Sequence, residues 1–194
     1  MWVRRSAIRP VAPWARVDER AASAVAGIVS AEDHDEARGE LDSAFERLER
    51  AQPAVAAWVA ESLGRPLDET ALALGYFLSV GVWLGFERCY GERVKPIELQ
   101  EIEATAELLA LDEELRRRDP AEAVDSDDVV AMEQPHLMAF VNTHVEGVLS
   151  LHADEVDVDD VHTVFRMVLV LVLSFSYAVR PPEGVRLPGV EALA

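Results

Sequence analysis

In this chain of 194 residues, the side chains best placed to do chemistry lie near the C-terminus: His162, Arg166 and Tyr177, with Thr163 and Ser174 between them. Spaced about 100° apart around a helix, these five fall within one arc of about 120°. The remaining two thirds of the same surface is almost wholly apolar. They form one polar stripe on a hydrophobic helix, and that stripe is the first place to expect a pocket. Arg166 needs an acidic partner if it is buried. His144 is the fourth candidate, because helical spacing sets it on an apolar face between Val141 and Val148. There it is either a core histidine satisfied by one hydrogen bond or a pH-sensing or ligand-contacting group. His152 lies about 80° round and two turns further along, too far to share a ligand with it.

Two acid patterns are worth following. Glu133-x-x-His136 with Asp159-x-x-His162 superficially resembles the paired carboxylate and histidine motifs of di-metal helical bundles. Pro135 falls inside the first of these, so Glu133 precedes the helix that carries His136 and the shared face is lost. Glu98-x-x-Glu101 followed by Glu122-x-x-Asp125 resembles the magnesium-binding acids of all-α nucleotide pyrophosphohydrolases, over those four residues only. That resemblance implies a hydrolase dependent on Mg²⁺ or Mn²⁺, with carboxylates carried on helices. Against it, Glu122 and Asp125 fall in or beside the loop expected at 119–125. The chain has no glycine-rich phosphate loop, no G-x-S-x-G and no H-E-x-x-H, and the acid run 154–160 lacks the glycine and closing glutamate of a Ca²⁺ loop. Cys89 is the only cysteine, which excludes an intrachain disulfide and a structural thiolate metal site. The expectation is a non-enzymatic protein-interaction or structural module with no catalytic residue, metal or cofactor assigned; the alternative is the metal-dependent hydrolase.

The elements that must position these residues centre on Met167 to Val179, MVLVLVLSFSYAV, which carries no charge. Val-Leu alternation alone fits a buried strand as well as a helix. The flank decides it: Val158, Val161, Val164, Phe165 and Val168 step by three and four, so the apolar run continues a helix begun near Asp157. A second uncharged stretch, Ala71 to Phe86, is its natural partner, capped by Asp68 and closed by Gly91. The chain therefore reads as all-α: a single-domain bundle of about seven helices around two hydrophobic central helices, about 68–90 and 157–180. The small side of the first, Ala71, Gly75, Ser79, Gly85 and Cys89, invites close approach of another backbone, either the 157–180 helix or the same helix of a second subunit, with a cofactor wedged there as a third reading. Leu41, Ala44, Phe45 and Leu48 mark an amphipathic helix before it; Leu99, Ile102, Ala106 and Leu109 mark the inner edge of one after it.

The net charge of −18 repels nucleic-acid phosphate and anionic lipid, so neither nucleic acid nor a membrane is an expected partner. The uncharged C-terminal run also falls short of the roughly 20 apolar residues of a membrane span. Residues 1–20 hold five arginines and carry +3, leaving −21 elsewhere. Residues 1–17 read as a basic arm that lies on the acidic body of its own chain or on a neighbouring subunit; residues 18–180 form the helical domain and 181–194 a loosely held tail. The expected partner is a protein or a second copy, as a homodimer through the small-residue face or the arm. Lone-cysteine usage fits a reducing cytoplasm, and the abundance of alanine with a single lysine fits a GC-rich bacterial coding sequence.

Overall fold

A computed structural model of the chain describes residues 6–29, 34–118, 124–151 and 156–185. Ser30, expected as a helix cap, and Glu122, His152 and the tail beyond 185 lie outside the described residues. The described helices are α1 (Glu19–Val29), α2 (His34–Ala51), α3 (Pro53–Leu63), α4 (Glu69–Tyr90), α5 (Leu99–Arg118), α6 (Ser126–Glu133), α7 (Pro135–Leu151) and α8 (Val158–Ala178). The fold is thus an all-α bundle, with eight helices where about seven were expected.

Two helices organise it, and both start on a carboxylate cap. Asp68 accepts the amides of Thr70 and Ala71, each at 2.9 Å, and Asp157 accepts that of Asp159 at 2.8 Å. α4 and α8 pack against each other more extensively than any other pair. Phe175 sits between Trp83 and Phe86, with ring centroids at 5.6 and 5.4 Å. Phe86 and Phe175 are fully buried, which withdraws about 1.5–3 kcal/mol of side chain each from water. α1, α2, α3 and α7 cover the rest of α4, while α3, α5, α6 and α7 cover α8. By length and composition both are long and apolar enough to cross a membrane, and 67% and 72% of their most apolar windows are buried inside the fold. Counted as a window, α8 reaches the length that its uncharged run alone does not.

Three local expectations need correction. α8 was expected to reach residue 180, but it ends at Ala178 because Val179 turns extended and pairs with Val94. Lys95 N–H donates to Ala178 O at 3.1 Å and Arg180 N–H to Arg93 O at 2.8 Å, so those backbone groups are satisfied by the 93–95 segment rather than by another helical turn. The inner edge of α5 is Ile102, Thr105, Leu109 and Asp112, whereas Leu99 is 44% exposed. Finally, among the described residues the atoms nearest the glycines of α4 belong to side chains rather than to a neighbouring backbone. A Cβ on Gly75 would meet Leu63 at 2.6 Å, one on Gly81 would meet Phe140 at 2.7 Å, and one on Gly85 would meet Leu137 at 3.2 Å. Side chains of α3 and α7 stand nearest these glycines, with Val164 of α8 beside Gly75 and Val17 of the strap beside Gly85.

Residues 6–17 run as an irregular strap with one short 3₁₀ turn, Pro13–Ala15. Ile8, Val11, Ala15 and Val17 are buried, so the strap is part of the core. Gly91 closes α4 at φ +51°, in the region that favours glycine, and its N–H donates to Glu87 O.

Candidate functional site

The polar stripe of α8 faces the side on which α5 lies, and three clefts open along it. The first, about 480 Å³, takes His162 and Arg166 together with Glu113, Arg116 and Arg117 of α5 and Asp125 and Asp127 at the start of α6. Arg166 Nε donates to both oxygens of Glu113, at 2.9 and 3.1 Å, which supplies its acidic partner although the residue is solvent-exposed. His162 is also exposed. The second cleft, about 240 Å³, takes Thr163 and Arg166 with Trp58, Leu67 and Met167. The third, about 340 Å³, takes Ser174 and Tyr177 with Arg9, Lys95, Glu101 and Thr105.

His162 and Arg166 therefore share a cleft, and Tyr177 does not join them. Fifteen residues of helix separate His162 from Tyr177, about 22 Å along the axis. Tyr177 turns to the strap: its hydroxyl donates to Arg9 O at 2.8 Å, and the Arg9 guanidinium lies over its ring, 4.3 Å from the centroid. Burial pushes the Tyr177 hydroxyl up to about 12, only partly offset by Arg9. His144 belongs to none of these clefts. It sits half-buried on α7 in a groove of about 310 Å³ against α1, with Nδ1 2.8 Å from Phe140 O. Its ring stacks on Phe140 and Phe77, at 4.5 and 4.9 Å between centroids.

The acid patterns are dispersed. Glu101 is engaged by Lys95 Nζ at 2.5 Å and by Glu98 N–H at 3.1 Å, at the start of α5. Asp125 caps α6 beside the far end of α5, in a capping box with Asp128. About 30 Å of helix lies between the two ends of α5. Glu133 turns to the strap, where it accepts from Val11 N–H at 3.1 Å and Arg16 Nη2 at 3.0 Å, while His136 is exposed on the α1–α7 groove. Among the described residues no group of three or more His, Cys, Asp or Glu side chains is gathered to hold a metal ion. Cys89 is half-buried and its thiol is pushed up by burial, away from a reactive thiolate.

The buried polar groups that do the most work were not singled out from the sequence. Asp112, wholly buried, accepts from Ser6 Oγ at 2.6 Å, Ala7 N–H at 2.7 Å, Arg116 Nε at 2.6 Å and Ser126 Oγ at 2.8 Å. Burial alone would raise its carboxyl, and these four donors outweigh it and hold the group below the usual carboxylate range. Gln134 accepts from Val17 N–H at 2.9 Å and donates to Ala15 O at 2.7 Å and Ser176 Oγ at 2.8 Å. Gln52 donates to Lys95 O and accepts from Ile97 N–H. One signal was available for Asp112: it continues the buried spacing of Ile102, Thr105 and Leu109. Gln134 and Gln52 carry none, because each lies just before a proline that opens a helix and nothing local says what will pack over it.

One further surface feature runs along α5 and meets the third cleft only at Ala104. On α5, Ala104, Leu108, Leu111 and Leu115 step by four, three and four along one flank beside the buried edge. Ala104 is exposed, Leu108 is half-buried, and Leu111 and Leu115 are 47% and 42% exposed. The first half of this helix carries only acids, Glu101, Glu103 and Glu107, while in its second half Asp112, Glu113 and Glu114 precede Arg116, Arg117 and Arg118.

Compared with known proteins, the chain matches no family model, no curated protein and no solved structure.

Proposed function

We propose that the protein is a non-enzymatic interaction module that pairs with a second copy of itself through the exposed flank of α5. The observation that carries this reading is the leucine stripe, an apolar seam at coiled-coil spacing that its own chain leaves partly uncovered. The partner is inferred from the polarity of the helix. Laid antiparallel about its midpoint, α5 places Leu108 against the other copy's Leu111, Ala104 against its Leu115, and the acidic first half against the exposed Arg117 and Arg118 of its last turn. The seam is short. A helix of this length is about 30 Å long, and such a footprint buries an area at the low end of specific interfaces, roughly 1,200 Å² in total. A reversible dimer in the micromolar range follows.

Light scattering on the full chain from micromolar to hundreds of micromolar tests it. A mass rising towards twice 21.4 kDa is expected, and the Leu111→Glu, Leu115→Glu double variant should remain at 21.4 kDa with an unchanged melting temperature. A monomer throughout would end the proposal. Thermal melts with and without Mg²⁺ and Mn²⁺ separate it from the hydrolase reading. No shift is expected, whereas a rise of several degrees at millimolar metal would favour a built carboxylate site.

A further inference from the structure

We propose that the cleft between the first turns of α5 and the last turn of α8 is a binding site for a small organic carboxylate, held by Lys95, Arg9 and the Ser174 hydroxyl. Ser174 is 4% exposed and its Oγ has no hydrogen-bond partner, although it lines the cleft. Ser79 and Ser176, the other buried serines of the two central helices, donate to the carbonyl four residues earlier, at 2.7 and 2.6 Å. Ser174 does not, so a buried donor is left over where the cleft reaches α8. A buried hydroxyl without a partner is costly, and a ligand oxygen seated there would satisfy it.

The charges select the ligand. Two cations, Arg9 and Lys95, face one acid, Glu101, so the cleft is locally positive in a chain whose net charge is −18. Lys95, the only lysine of the chain, spends one ammonium donor on Glu101 and keeps two. Arg9 lies over the Tyr177 ring, 4.3 Å from its centroid, and forms no salt bridge with a carboxylate among the described residues, so its guanidinium donors are available to a ligand carboxylate. A monoanion balances this set, whereas a phosphate dianion adds a second charge beside Glu101. Ile97 and Ala178 supply apolar wall, and a volume of about 340 Å³ suits a small molecule at the lower end of the usual range for ligand pockets. The fold holds this geometry firmly: the strap carries Arg9, the Val94–Val179 bridge carries Lys95, and both are tied to the end of α8.

The test is calorimetric titration of the full chain with butyrate, inorganic phosphate and butylamine. Saturable one-to-one binding of butyrate in the millimolar range is expected, with weaker binding of phosphate and none of butylamine. Lys95→Met and Ser174→Ala should each weaken butyrate binding by about tenfold, the value of one hydrogen bond to a charged group. Ser174→Ala should also melt no lower than the wild type, because it removes a hydroxyl that bonds to nothing in the protein. Absence of saturation, phosphate binding tighter than butyrate, or equal butyrate affinity in both variants and the wild type would each overturn the proposal.

Discussion

Asp112 joins three separate parts of the chain at one carboxylate: the strap at Ser6 and Ala7, α5 itself at Arg116, and α6 at Ser126. Removing it leaves Arg116, whose side chain is 9% exposed, without its charge partner. Breaking a buried pair from one side costs more than the pair is worth. Asp112→Ala is expected to destabilise by about 3 kcal/mol, roughly a 10 °C fall in melting temperature for a domain of this size. The sign with pH follows from the depressed carboxyl. Its contribution is present above the unfolded value of about 4 and is lost as pH falls through the lower folded value. Melts of the wild type and Asp112→Asn across the acid range should therefore start apart near neutrality and converge as the pH drops. A gap that stays constant would show that Asp112 folds uncharged. At this scale the sequence was half legible: helical spacing placed His162 beside Arg166 and put His144 against an apolar face. It put Ser174 on the polar stripe without saying what it faces, and it was silent on Gln52 and Gln134, whose roles depend on segments far away in the chain.

Most helix positions were readable because each depends on neighbours three or four residues away, although the end of α8 and the inner edge of α5 were not. What fills a face was not readable, as α4 illustrates. Its glycines invite close contact, and sequence cannot tell a backbone from the side chains of α3 and α7 that supply it. The distinction has consequences for substitution. Gly81→Ala would push a methyl against Phe140, a ring packed between Phe77 and His144, with centroids at 6.0 and 4.5 Å. Overpacking should exceed the gain in helix propensity and cost about 1–2 kcal/mol net. Gly75→Ala meets the movable end of Leu63 and touches Val164 at an ordinary 3.4 Å, and should be close to neutral. Gly39→Ala on α2 meets nothing within 4 Å and should stabilise by up to about 1 kcal/mol. Chemical denaturation of the three variants checks the order; a backbone neighbour along α4 would make Gly75→Ala as damaging as Gly81→Ala.

At the scale of the whole molecule, the two uncharged stretches together with the helical spacing of their flanks were enough to read an all-α bundle. The seam on α5 was missed because its leucines share a helix with a second, buried stripe, and spacing alone does not say which stripe is covered. Association has to work against charge. Two chains of −18 held at roughly 30 Å repel by on the order of 40 kcal/mol when unscreened in water, far more than a few exposed ion pairs return at about 0.2–1 kcal/mol each. The Debye length shrinks from about 30 Å at 0.01 M salt to about 8 Å at 0.15 M. Sedimentation should therefore show the dimer weakening as salt is removed, the reverse of an interface held by ion pairs. The most direct measurement is the distance between spin labels on Glu103→Cys in two copies, with Cys89→Ala to remove the native thiol. Antiparallel seating sets the two sites 13 residues apart along paired helices, which predicts an intermolecular distance of roughly 20–30 Å. A spectrum without intermolecular coupling, or a distance beyond about 40 Å, would contradict pairing through α5.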